Sequence, residues 1–331
     1  MPTLFLAKFY WFVYYVYMRV SFQTYKTVQT SPLNNSNPIS KAMSKGMMDV
    51  VTFGTNKDFL QLPVNDIIEN VENSIISTNL LGRGGEAAVY SITGTDYCVR
   101  LPHSNPDDYK KGIVSELTEI ERINHGVAKL GENTIIMKKI KGYSMFPRAE
   151  TGVTRAMVHS MIDDMPVTAY RNVIKQIYDA YDKGAYFDSS GANVIVDPVN
   201  KTMTVVDFTE CLECSNSRIL KSLFTTLGMS DGILTKAQQK DRANKILSSV
   251  IDDFLPGQKP MMRISDYSFT EFIFAIKRQD LISTAYSKVF LNALNQLKEL
   301  KYMTIRGVKG CEDQMYGQVK LIKSLIKQLL T

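Results

Sequence analysis

The chain has 331 residues, 44% of them hydrophobic and 22% charged, with 19 Gly, 11 Pro and 4 Cys. This composition excludes a disordered chain, a collagen-like fibre and a disulfide-stapled secreted fold, and it leaves length for one large domain or two ordinary ones. Subtracting 33 acidic from 39 basic residues gives a net charge of +6, too modest at this length to single out nucleic acid as a partner.

The first element is an aromatic-rich apolar run within residues 4–22, unbroken from Phe9 to Met18 and bounded by Lys8 and Arg19. It is shorter than the roughly 20 apolar residues a spanning helix needs. Neither the positive start nor the small-residue cleavage site of a signal peptide is clean in it. An interfacial helix suits its aromatics, and packing on the folded body is the other reading. Residues 21–46 are rich in Ser, Thr, Asn and Gln without apolar period. Residues 1–48 are therefore expected to be a leader, and the folded body to begin near Asp49.

In residues 63–77 apolar groups recur at Ile67, Ile68, Val71, Ile75 and Ile76 behind a proline, which predicts a helix. The period then switches. Residues 79–101 predict three strands separated by a glycine turn and a Gly-Thr-Asp turn. A helix is expected over 107–124, opened by Asp107 and Asp108, with Ile113, Leu117 and Ile120 on one side. Two short strands follow within 126–141, around Gly131-Glu132-Asn133. From 150 onward the pattern is helical, interrupted at 186–210 by two strands, the second running into Asp207. Helical spacing returns at 219–227, 243–254, 269–276, 289–300 and 319–330. On the last helix Leu321, Ile322, Leu325, Ile326 and Leu329 are read as one side, with Lys320, Lys323 and Lys327 towards the other. Covering the core of its own domain is the favoured role over binding a membrane.

The expected class is α+β: a small antiparallel sheet with a helix over 49–142, then a helical part over 143–331, with the boundary near Gly142. A cleft between two such parts is a natural ligand site.

Three features carry chemistry. Gly82-Arg83-Gly84-Gly85-Glu86-Ala87-Ala88-Val89 joins two predicted strands, and such a loop can lie over nucleotide phosphates with its N–H groups facing them. No helix follows it, as a dinucleotide fingerprint requires, and no Gly-Lys-Ser/Thr is present; a tight hairpin is the competing reading. Asp188 stands five residues before Asn193, and Asp207 ends a hydrophobic strand. Asn193 and Asp207 can hold Mg²⁺ with oxygen ligands, and Asp188 can face an acceptor hydroxyl as base or orienter. Cys211-Leu212-Glu213-Cys214 has no second pair to complete a zinc site and is read as two thiols of a reducing compartment.

Together these residues resemble the protein-kinase fold. Gly82-x-Gly84-x-x-Ala87-x-Val89 resembles its glycine-rich loop, Tyr97-Cys98-Val99-Arg100 its Val-Ala-Ile-Lys strand, and Glu116 the helix glutamate paired with the strand cation. Met137-Lys138-Lys139-Ile140-Lys141-Gly142 resembles the hinge, Asp188 to Asn193 the catalytic Asp-x4-Asn, and Asp207-Phe208-Thr209 the Asp-Phe-Gly. Over roughly residues 75–212 the chain is similar to bacterial type III secretion effector kinases of the OspG and NleH type.

The resemblance implies a protein-kinase-like bilobal fold with extra C-terminal helices and a Ser/Thr kinase that uses ATP and Mg²⁺. It also implies delivery by a type III system into a host cell cytoplasm, and binding of a host protein such as ubiquitin or an E2–ubiquitin conjugate. It assigns catalytic roles to Asp188, Arg100 and Glu116. Gly82, Gly84, Gly85, Val89, Cys98, Arg100, Met137 and Lys139 would bind nucleotide, and Asn193 and Asp207 the metal. The sequence departs from the pattern at Arg100, where the family has lysine; a planar guanidinium is not a conservative replacement for an ammonium point charge. No Ala-Pro-Glu follows Asp207. A pseudokinase that binds a host protein and a small-molecule phosphotransferase stay open as alternatives.

Overall fold

The computed structural model describes residues 59–113, 116–210, 219–230, 232–251 and 266–329. The aromatic run at 4–22, the polar leader and the Cys211/Cys214 pair lie outside the described residues.

Pro63 opens helix α1 (Val64–Ser74), whose Ile67 and Val71 are buried one turn apart. Strands β1 (Leu80–Arg83), β2 (Ala87–Ser91) and β3 (Tyr97–Pro102) follow, then β4 (Gly126–Lys129) and β5 (Ile135–Lys138). They form one antiparallel sheet in the order β1-β2-β3-β5-β4. Period-2 alternation sorts its side chains. Val99, Leu101 and Ile136 face a cluster that includes Ile67 and Val71 of α1, with Tyr90 and Tyr97 packed against it. The opposite face therefore carries the register pairs Val89 with Arg100 and Cys98 with Met137.

The helix expected over 107–124 is not continuous. A 3-10 turn spans Asp108–Lys111 and stops at Gly112, whose φ of +78° is left-handed. Asp108 turns inward and accepts hydrogen bonds from Asn133 N (2.8 Å) and Thr134 N (2.9 Å). Helix starts afresh as α2 (Glu119–Ile123), where Thr118 and Glu121 make a reciprocal capping box.

At Gly142 the φ is +129° and a Cβ would lie 2.3 Å from Val196 O, so only glycine fits where the chain leaves the sheet. Beyond it come β6 (Tyr143–Ser144), α3 (Arg155–Asp163), α4 (Val167–Asp182) and β7 (Ala185–Phe187). The expected hairpin is β8 (Val194–Asp197) with β9 (Thr202–Val205), joined by β6 into a three-stranded sheet. Strand β9 ends two residues short of Asp207. The chain turns there and enters β10 (Phe208–Glu210), which pairs with β7.

The remaining helices are α5 (Ile219–Thr226), α6 (Lys236–Ile251), α7 (Asp266–Arg278), α8 (Thr284–Ile305) and α9 (Cys311–Gln328). With α4, whose Tyr170, Val173, Ile174 and Ile177 are buried at helical spacing, they enclose the second and larger hydrophobic cluster. Helix α9 lies in this core through Met315, Val319, Ile322, Leu325 and Ile326. Leu321 faces outward at 45% exposure, a correction to the side it was read on. Among the described residues no helix is long and apolar enough to cross a membrane.

Candidate functional site

The loop 188–193 is shaped by its own hydrogen bonds. Ser190 N donates to Asp188 O (2.8 Å), Asn193 N to Ser190 O (3.0 Å), and Asn193 Nδ2 to Asp188 O (3.2 Å). The carbonyl of Asp188 is thus held twice, while the residue itself stays exposed. Asn193 is buried. With its amide nitrogen committed to Asp188, its Oδ1 is the end that can face a cation. Gly191 packs against Met145, where a Cβ would lie 3.2 Å from Cε.

Asp207 has φ +65°, the left-handed region that few non-glycine residues enter. Its neighbours hold it there. His125 Nε2 lies 3.1 Å from Val205 O and therefore donates to it, Val206 N donates to Asn193 O (2.9 Å), and Phe208 is bound by both main-chain groups to Asn124. Partial desolvation pushes the Asp207 carboxyl above the ordinary aspartate range. Repulsion from Asp188 adds to the shift, Arg100 opposes it, and Glu86 adds a further repulsion. Charged groups from the first hairpin, β3 and the 188–193 loop therefore act together on this one carboxyl in the turn after β9.

Arg100 projects from β3 and its Nη2 lies 3.8 Å from Glu86 Oε2. The expected partner, Glu116, is exposed and outside any helix. The physical reason is the break at Gly112, which removes the helix that would have presented it.

The nucleotide-binding candidates sit on or beside the sheet face that bears Arg100. Gly82 pairs with Val89, and Val89 with Arg100. Gly84 and Gly85 form the turn between β1 and β2, closed by Gly84 N donating to Ala87 O (2.9 Å). None of these three glycines has a left-handed φ, and a Cβ on any of them would meet nothing closer than 3.8 Å. Their absence of side chains is not something the local fold requires. Cys98 is buried opposite Met137, and burial pushes its thiol up to about 12, so it is an inert wall residue. Lys139 Nζ donates to Ser91 Oγ (2.9 Å), which ties the end of β5 to β2.

Among the described residues no three His, Cys, Asp or Glu are gathered closely enough to hold a metal ion by themselves. Asn193 and Asp207 supply two hard oxygen donors, a set that fits Mg²⁺ only when nucleotide phosphates and water complete the shell.

Glu86, Asn124 and His125 are the site residues that sequence reasoning missed. Glu86 lay within the glycine loop already singled out. Asn124 and His125 gave no signal beyond ending a helix. No protein-family model matches the chain, and no curated protein matches it significantly.

Proposed function

We propose that the chain is an ATP-dependent Ser/Thr protein kinase with a kinase-like bilobal fold. The observation that carries the reading is that Asn193 donates to Asp188 O (3.2 Å) and accepts from Val206 N (2.9 Å), which ties the 188–193 loop to the turn bearing Asp207, whose carboxyl feels both Asp188 and Arg100. It is supported by a glycine hairpin with open space where side chains would stand, which allows close approach of a phosphate chain.

In this reading the N–H groups of the 82–86 turn other than that of Gly84, which is held by Ala87 O, and the Arg100 guanidinium bind nucleotide phosphates. Asp207 and Asn193 would hold Mg²⁺, which when bound neutralises charge on those phosphates. Asp188 orients the acceptor hydroxyl and takes its proton as the Ser/Thr oxygen bonds to the γ-phosphorus and the bond to ADP breaks. Delivery by a type III system into host cytoplasm, and a ubiquitin or E2–ubiquitin partner, belong to the same proposal through the sequence resemblance.

The test is incorporation of labelled phosphate from ATP by wild type, Asp188→Ala and Asp207→Ala. Incorporation by wild type alone is expected, and equal incorporation in all three refutes the reading.

A second reading, a nucleotide-binding pseudokinase, is favoured by one observation. Arg100 stands where the family has lysine, and it meets the exposed Glu86 instead of a helix glutamate. Nucleotide binding without phosphate incorporation by wild type would select it.

A further inference from the structure

Asn124 and His125 form a short latch between the five-stranded sheet and the segment that bears Asp207. Asn124 caps the C-terminus of α2, and its side-chain amide reads both main-chain groups of Phe208: Nδ2 donates to Phe208 O (2.6 Å) and Oδ1 accepts from Phe208 N (2.7 Å). His125, itself left-handed at φ +66°, donates from Nε2 to Val205 O (3.1 Å) and accepts at its own carbonyl from Lys138 N of β5 (2.9 Å). Between the two held residues, Val206 N donates to Asn193 O (2.9 Å). A left-handed aspartate persists only where its surroundings over-determine it. Here the residues on both sides are fixed by polar contacts that make no use of the Asp207 side chain.

We infer that Asn124 is a positioning residue for Asp207, acting through the main chain of Phe208, and that its side-chain amide thereby sets the site's grip on metal–nucleotide. The inference rests on the kinase reading of Asp207 as a metal ligand. Asn124 is not proposed to touch metal or nucleotide. Releasing Phe208 lets the Asp207 backbone relax towards ordinary φ and changes the direction in which its carboxylate is presented. Partners that orient a metal ligand without touching the metal are generally worth about 10–100-fold in affinity.

The test uses the full chain with Mn²⁺ as the probe and a non-hydrolysable ATP analogue. Mn²⁺ affinity of the protein–nucleotide complex is read by electron paramagnetic resonance, and nucleotide affinity is measured separately in EDTA. The variants are Asn124→Ala, Asp207→Asn and Thr118→Ala, the last of which removes the cap of the same helix and leaves the latch intact. Asn124→Ala is expected to weaken Mn²⁺ binding by about 10–100-fold while metal-free nucleotide affinity and the Thr118→Ala protein stay near wild type. Wild-type Mn²⁺ affinity in Asn124→Ala, or an equal loss in Thr118→Ala, overturns the inference and leaves the kinase reading standing. If wild type shows no Mn²⁺ binding that depends on Asp207, the reading itself is overturned and the inference goes with it. Should Asn124→Ala fail to fold, Asn124→Asp keeps the acceptor for Phe208 N–H, loses the donor, and is judged by the same outcomes.

Discussion

Arg100 Nη2 lies 3.8 Å from Glu86 Oε2, so the cation of the third strand is tied to the turn of the first hairpin. Both groups retain contact with water, and the pair contributes little to stability. On the proposed function its consequence is for binding, because a phosphate entering under the turn would compete with Glu86 for the guanidinium. Arg100→Ala is expected to lower nucleotide affinity by roughly tenfold or more, since hydrogen bonds to charged groups are worth about 1.5–3 kcal/mol. Glu86→Gln should raise it, and Glu116→Gln should leave it unchanged. Titration with a fluorescent ATP analogue checks all three, and a loss on Glu116→Gln as large as that of Arg100→Ala would contradict the placement.

The raised Asp207 carboxyl predicts a pH dependence. Cation binding needs the carboxylate, so affinity for metal–nucleotide should fall on acidification through a midpoint above the ordinary aspartate range. Asp188→Asn removes a repulsion and should move that midpoint down, whereas Arg100→Ala should move it up. The sign for stability is the reverse. A carboxyl whose folded pKa is raised favours the folded state when protonated and disfavours it as pH rises. Asp207→Asn is therefore expected to raise the urea midpoint at neutral pH while abolishing metal–nucleotide binding. A lowered midpoint would show that the charged form stabilises the fold.

Arg242 of α6 is fully buried. Its Nε donates to Asp163 Oδ1 (2.6 Å), one terminal nitrogen to His159 O (2.8 Å), and the other contacts Leu227 O and His159 Nδ1. It joins α3, α6 and the end of α5. Breaking a buried ion pair leaves an uncompensated charge, so Arg242→Ala should cost about 3–5 kcal/mol in urea unfolding. Arg242→Met combined with Asp163→Leu should recover part of that loss. A cost below about 1 kcal/mol for the single variant would mean that the network contributes little.

Asp108 is a buried carboxylate that closes the β4–β5 turn. Desolvation pushes its pKa up, but hydrogen bonds from the Asn133, Glu132 and Thr134 main chain and from Lys111 together outweigh this and leave it lowered. A depressed folded pKa contributes stability that is present above the ordinary aspartate value and lost as pH falls through the lowered one. Asp108→Ala should cost on the order of 2–4 kcal/mol at neutral pH by orphaning buried N–H groups. The gap to wild type should narrow on acidification, and a gap that stays constant in acid would remove the charge from the explanation.

Much of this protein is written in short-range patterns. Period 2 marks β2, β3 and β5, period 3.6 marks α1 to within a few residues, and Pro63 and Gly142 punctuate the chain where backbone geometry demands it. The spacing of Asp188 and Asn193 marks the loop that the Asn193 amide then closes. The stop at Gly112 was less legible, because the apolar spacing of Ile113, Leu117 and Ile120 suits a helix and the left-handed Gly112 opposes it. The outward turn of Leu321 shows the same weakness, since a helix with apolar residues on adjacent positions does not say which of them its neighbours will cover.

By itself, then, the sequence determined the α+β class, the glycine hairpin and the candidate acids, since each depends on residues a few positions apart. The tertiary structure alone decided that Arg100 meets Glu86, that Asp207 is held in a left-handed conformation, and that Asn124 supplies the clamp on Phe208. The physical reason is separation along the chain. Asn124 and Phe208 are 84 residues apart, and a hydrogen bond across that distance leaves no periodic trace in the residues around either partner.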